Sequence, residues 1–196
     1  MRYDGKLFIS AEYTKEQFIN LNLSMESSEE FWEEAIIIFK DRIEGRYINI
    51  VKELICNETI NVDGFVVMVL NCLLIETLLQ FKNGWDKTKH GNKDSYSRFL
   101  NEEFNDIFPT LDSAKIFYSH IRCGLLHSAE TKNGSVLNIG SYDVIERNKE
   151  CISVNVDKFT RRMIDYFNSY IEKLRDKKNI KERECFLRKM SYICRN

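Results

Sequence analysis

A chain of 196 residues, 43% hydrophobic and 12% aromatic, is long enough for one domain or one domain with an appendage, and apolar enough to exclude wholesale disorder. One proline and eight glycines exclude a turn-rich β architecture and predict long, uninterrupted helices. The net charge of −1 excludes little as a total, but its distribution is uneven: residues 25–60 carry nine acids and four bases, and residues 171–196 nine bases and four acids.

A basic tail suits phosphate contacts with a nucleic acid, and equally suits the solvated face of an amphipathic helix. No uncharged apolar stretch reaches the roughly 18 residues of a membrane span; the nearest, Phe65 to Leu79, contains Asn71 and Glu76. The start, Met1-Arg2-Tyr3-Asp4-Gly5-Lys6, lacks the apolar core of a signal peptide. The expectation is a cytoplasmic protein with no membrane partner. In that reducing compartment Cys56, Cys72, Cys123, Cys151, Cys185 and Cys194, none of them in a C-x-x-C pair, are read as thiols.

Residues 1–26 are mixed and show no dominant period. The first helix is predicted from Ser27-Ser28-Glu29-Glu30, a serine cap followed by acids that complement the helix dipole. Phe31, Ala35, Ile38, Phe39, Arg42, Ile43, Tyr47, Ile50, Val51 and Leu54 recur at helical spacing, carrying it to about Cys56. A second helix over 62–82 is apolar on nearly every side and must be buried on several faces, by bundle neighbours or a partner chain. Asn83-Gly84 ends it, and Trp85 to Asp94 reads as a loop. A third helix is predicted over 95–107, broken at Phe108-Pro109, and a fourth over 111–128 with Ala114, Phe117, Ile121, Leu125 and Ser128 inward. The turn signal Lys132-Asn133-Gly134 precedes β-like runs at 135–139, 142–145 and 151–156. Helices over 157–174 and 180–193 close the chain. The predicted fold is therefore mainly all-α, in a single domain spanning 1–196. An up-and-down helical bundle occupies 28–130, and a small β-hairpin or meander with C-terminal helices occupies 131–196.

The chemically telling segment is Arg122-Cys123-Gly124-Leu125-Leu126-His127. Histidine suits proton transfer near neutral pH, and arginine matches phosphate oxygens with a planar, permanently charged fork. Together they can cleave RNA without a metal: the base takes the 2′-hydroxyl proton and the guanidinium stabilises charge on the phosphorus-bound oxygens. Spacing alone identifies nothing, because with this composition an Arg four to six residues before a His arises by chance about half the time. Five residues turn about 140° around a helix. Either the helix frays at His127, or the pair works against the same pair in another subunit.

The run Tyr118-Ser119-His120-Ile121-Arg122-Cys123-Gly124-Leu125-Leu126-His127, near the end of a bundle helix, resembles the HEPN superfamily and its Arg-x4-6-His motif. The resemblance covers roughly residues 28–130, and Leu74-Ile75-Glu76-Thr77-Leu78-Leu79-Gln80-Phe81 is similar to the preceding helix of an uncharacterised bacterial and plasmid-borne branch. It implies a homodimeric, metal-independent endoribonuclease of toxin–antitoxin or phage-defence systems, with a cognate antitoxin protein as a further partner. It assigns phosphate contact to Arg122 and proton transfer to His127. Many active members carry Asn, Asp or His after the arginine, where this chain has Cys123. That departure motivates a second expectation, a non-catalytic helical module that binds a protein partner or a nucleotide.

Other residues bear on the same region. Glu76 lies in the most apolar helix and needs a partner: it either orients Arg122 or His127, or bridges to Arg42 or Arg46. His120 either faces the cleft or is a satisfied core histidine. His120, Cys123, Gly124 and His127 share one side of the helix. Zinc sites draw ligands from more than one element, however, and His90 lies in a distant loop, so no metal or cofactor is expected. Gly124 permits close approach of another backbone, within the bundle or across a twofold. Arg161, Arg162 and Lys173 are candidate RNA contacts. No phosphate-cradling glycine loop, G-x-S-x-G or D-x-D cluster is present, which disfavours kinases, hydrolases of that type and two-metal nucleases.

Overall fold

The computed structural model describes residues 2–56, 60–88, 92–148 and 150–195. His90 and part of the predicted 85–94 loop lie outside the described residues. The protein is mainly α-helical and bundle-like, with a small three-stranded sheet. Its six cysteines are free thiols.

The chain opens with strands β1 (Arg2–Tyr3) and β2 (Lys6–Leu7), paired antiparallel around Asp4 and Gly5, both at positive φ. This is the Asp-Gly hairpin signal, in which both turn residues take φ > 0. Helix α1 (Lys15–Asn20) follows, closed by a reciprocal capping box between Thr14 and Gln17.

The first long helix starts at the predicted cap. It runs as α2 (Glu29–Ile43), a π-turn (Glu44–Ile48) and α3 (Asn49–Cys56). Ser28 makes no side-chain cap bond; its carbonyl accepts the Trp32 N–H. Of the residues at helical spacing, Phe31 and Ile50 are exposed, while Trp32, Ile36 and Ile48, outside that series, are buried. The π-turn adds one residue to the helical period. Ile48, five after Ile43, thus takes the inward place that unbroken α spacing gives to Tyr47.

Helix α4 (Ile60–Asn83) ends as the sequence predicts. Gly84, at φ +63°, donates to the Phe81 carbonyl, and Trp85 donates to the Gln80 carbonyl. That pair of bonds is the Schellman motif, which satisfies the last carbonyls of the helix. By length and composition, Gly64–Asn83 is long and apolar enough to cross a membrane, which corrects the sequence estimate that this region is too short. Half of that window is buried within the chain, as an all-round apolar core helix requires.

Helix α5 (Asn92–Glu103) is shorter than predicted, with Phe104, Ile107 and Phe108 buried in the turn after it. The fourth helix runs as α6 (Leu111–Ile116), a second π-turn (Phe117–Arg122) and α7 (Cys123–Ser128). Thr110 caps it by accepting the Ser113 N–H. Strands β3 (Val136–Asn138), β4 (Ile145–Asn148) and β5 (Cys151–Asn155) form a sheet in the order β3-β5-β4. The hairpin is β4–β5; β3 joins β5 in parallel, with Val136 opposite Ser153, so the sheet is not a meander. Helices α8 (Val156–Arg175) and α9 (Ile180–Arg195) complete the chain.

The chain folds as two compact units. The first comprises 1–50, 80–87 and 167–196. Its core is a cluster of rings around Phe39, whose centroid lies 4.5 Å from Phe81, 5.3 Å from Phe186 and 5.9 Å from Phe167. Arg183 is buried against Trp32 and holds Glu29 through two bonds of 2.7 and 3.0 Å. The second unit comprises 51–79 and 88–166. Phe117 stacks on Phe159 at 5.1 Å, Tyr166 closes on Phe99 and Phe104, and buried Asn71 donates to Thr160 at 2.7 Å.

Candidate active site

Glu76 on α4 and the residues singled out on the fourth helix lie in the second unit. Arg122 is the last residue of its π-turn, and Glu76 lies about two turns before the end of α4. The structure joins them: an Arg122 guanidinium nitrogen stands 2.7 Å from Glu76 Oε2, with side-chain exposures of 13% and 20%. Glu76 Oε1 accepts from Thr88 at 3.1 Å and from Asn92 at 3.3 Å. Both carboxylate oxygens are thus engaged, as burial of a carboxylate requires. The alternative bridge to Arg42 or Arg46 is overturned, because those two donate to the Ile9 carbonyl instead.

Arg122 has further neighbours that the sequence reading missed. Its guanidinium lies 5.4 Å from the centroid of the Tyr118 ring, and that ring meets buried Tyr96 edge-on at 5.2 Å. Tyr118 precedes Arg122 by four residues, a spacing that brings side chains together on a helix and was the available signal. Burial opposes the charge on Arg122, but the Glu76 hydrogen bond and charge outweigh it and hold the guanidinium's proton more tightly than usual. Burial pushes the Tyr118 phenol up, against the pull of Arg122, and raises the Cys72 thiol to about 12. Arg122 Nε is buried with no partner among the described residues. Arg122 is therefore a fixed, permanently charged group with donor capacity left over and only a small window of exposure.

His127 is different. It is exposed in the last turn of α7 and has no side-chain hydrogen bond or ion pair among the described residues. The helix does not fray there: it stays α-helical through Ser128, and Ala129 turns it off in the left-handed conformation at φ +52°. The offset of about 140° between Arg122 and His127 therefore stands, and the fraying route to a one-chain site is overturned. Ser128, predicted to face the core, is exposed at this end.

His120 is a satisfied core histidine. Its Nδ1 lies 3.1 Å from Ser135 Oγ and its Nε2 2.8 Å from Asn133 Nδ2, while Ser135 Oγ also accepts the Ile152 N–H. With the Asn133 amide donating to Nε2, the ring is neutral and carries its proton on Nδ1. Burial lowers its pKa, with Glu150 opposing and Lys93 reinforcing. The freed backbone of the π-turn is used too, since the His120 carbonyl accepts the Lys132 N–H at 3.0 Å.

Gly124 has its explanation inside the chain. A Cβ there would lie 2.3 Å from the Glu130 carbonyl oxygen and 3.3 Å from Thr131 Cα. The returning 130–132 segment, not a second copy, needs the glycine. The remaining basic candidates lie on α8. Arg161 is exposed and pairs with Asp157 on its own helix, Arg162 pairs with Asp106, and Lys173 is exposed in the first unit. Among the described residues, no three His, Cys, Asp or Glu side chains converge as metal ligands.

No protein-family model, curated protein or solved structure matches the chain.

Proposed function

We propose that the protein is a metal-independent endoribonuclease of the HEPN type, acting in a toxin–antitoxin or phage-defence system, with Arg122 and His127 as its catalytic residues. The observation that carries this reading is the contrast along one short helix. Arg122 is locked in charge and position by Glu76, while His127, five residues on, is left exposed and unpartnered among the described residues. A fixed cation and a free imidazole are the two groups that cleavage at a ribose 2′-hydroxyl needs.

In the proposed step His127 takes the 2′-hydroxyl proton and the 2′-oxygen attacks the adjacent phosphorus. Arg122 stabilises charge on the non-bridging oxygens. The 5′-oxygen leaves with a proton from water, giving a 2′,3′-cyclic phosphate. Glu76 acts as a positioning residue. Because Arg122 and His127 diverge on one helix, the reading takes the site as composite, with Arg122 of one copy working beside His127 of the other in a homodimer. Exposed Phe65, Val66 and Leu73 support a second copy, since positions 66, 69, 73 and 76 share a face of α4 and lead to Glu76. A cognate antitoxin is a further proposed partner, and a cytoplasmic location fits the same reading.

The test is incubation of purified protein with total RNA in EDTA, beside His127→Ala. Cleavage by wild type and not by the variant is expected; equal cleavage by both, or none by either, rejects the proposal. A monomer by light scattering at micromolar concentration counts against the composite site.

One observation favours a second reading. Arg122 is already ion-paired and mostly buried, and Cys123 follows it. In a non-catalytic module that binds a protein partner or a nucleotide, RNA stays intact, the fold and dimer persist, and a partner co-purifies.

A further inference from the structure

The first unit holds an arrangement that the ribonuclease reading does not use. A cavity of about 340 Å³ is lined by Tyr3, Phe8, Ser10, Ala11, Gly45 and Arg46, between the N-terminal strands and the π-turn Glu44–Ile48. Its size falls near the low end of small-molecule sites. Gly45 makes the wall possible, because a Cβ there would lie 2.9 Å from the Ala11 side chain.

Arg46 lines this cavity, and its guanidinium meets that of Arg42 at one backbone carbonyl. Arg42 and Arg46, four residues apart, both donate to the Ile9 carbonyl, Arg46 at 3.0 Å. Among the described residues neither has a carboxylate partner, and nearby Asp41 accepts the Glu12 N–H instead. Burial, then the charge of Arg46, brings the Arg42 pKa down to about 10; at buried Lys189 burial lowers the pKa, with Asp86 opposing and Arg42 reinforcing. One carbonyl dipole is a poor counterweight for two partly buried cations, and like charges four apart on a helix repel. A bound anion removes both costs.

The surroundings narrow the class of anion. Guanidiniums match phosphate oxygens through paired N–H donors. Tyr3 and Phe8 supply flat apolar surface on which an aromatic ring can lie. Ser10 Oγ accepts the Tyr13 N–H at 3.0 Å, which leaves its own proton to donate.

We infer that this cavity binds a phosphate monoester carried on a flat aromatic body, of the nucleoside-monophosphate class, with Arg46 and Arg42 on the phosphate and Tyr3 and Phe8 against the base. The cavity shares no residue with the Arg122–His127 pair, so its failure leaves the ribonuclease reading intact and the reverse also holds.

The experiment is calorimetric titration of the full chain with AMP, GMP, CMP and UMP, with adenosine and inorganic phosphate as partial ligands. At least one nucleotide is expected to saturate below about 1 mM and to bind about tenfold or more tightly than either partial ligand. Arg46→Gln is expected to weaken it about tenfold. Tyr3→Ala, at a position 71% exposed and outside the core, is expected to weaken it several-fold with an unchanged melting temperature. No saturation by any of the four nucleotides, equal affinity for inorganic phosphate, or affinity unchanged by both variants overturns the inference.

Discussion

At Phe117–Arg122 a π-turn delivers Arg122 to a carboxylate on α4; at Glu44–Ile48 another places Arg46 on a backbone carbonyl that Arg42 already shares. Both turns add one residue to a helical turn. Their electrostatics differ. Glu76 keeps Arg122 charged and still, with Thr88 and Asn92 holding the carboxylate in turn. Arg42 and Arg46 have no such partner among the described residues, and burial weakens the hold of Arg42 on its proton. A satisfied charge contributes to the stability of the empty protein. An unsatisfied pair costs stability until an anion arrives.

That contrast sets the expected effects of substitution. The largest is on activity: Arg122→Ala and His127→Ala are each expected to lower RNA cleavage by about 10²–10⁴-fold in initial-rate assays. Next is Glu76→Ala, which leaves Arg122 as a mostly buried, unpaired cation. Denaturant unfolding is expected to show a loss of about 3 kcal/mol, at the low end for a broken buried pair because both side chains keep some exposure. Gly124→Ala drives a methyl group into the Glu130 carbonyl and is expected to cost about 2 kcal/mol by the same measurement.

A smaller effect is expected from pH. Burial sets the folded-state pKa of His120 below its ordinary value of 6.5, so the unfolded chain binds that proton more readily. Its contribution to stability is complete above the unfolded value and is lost as pH falls toward the folded one. Melting temperature is expected to fall from pH 7 to pH 5, less steeply in His120→Gln. The smallest effect is that of Arg46→Gln in the absence of ligand, neutral to slightly stabilising and within about 0.5 kcal/mol of wild type, because it removes the like-charge repulsion. A loss as large as that of Glu76→Ala would break the comparison between the two turns.

Much of the helical frame was legible because periodicity and caps are local. The helix start at Ser28, the Schellman end at Gly84 and the start at Thr110 all follow from short runs of sequence. The π-turns were not legible, since no residue pattern announces one extra residue in a turn, and Ile50, just past the first of them, was misplaced accordingly. Asp4-Gly5 carried a hairpin signal that the mixed composition around it obscured. At the site, the need of Glu76 for a partner was evident from its apolar helix, but the choice between Arg122 and Arg42 or Arg46 depends on tertiary contacts. The role of Gly124 depends likewise on the returning 130–132 segment, which local sequence does not place.

A composite site, with Arg122 and His127 drawn from two copies of the chain, is the claim on which the proposed activity turns. Its most direct test is RNA cleavage in EDTA by Arg122→Ala alone, His127→Ala alone, and an equimolar mixture of the two allowed to exchange subunits. Two inactive variants and a mixture that regains activity are predicted, because each mixed dimer holds one intact Arg122–His127 pair. A mixture as inactive as its components, or a His127→Ala variant that cleaves like wild type, would contradict it.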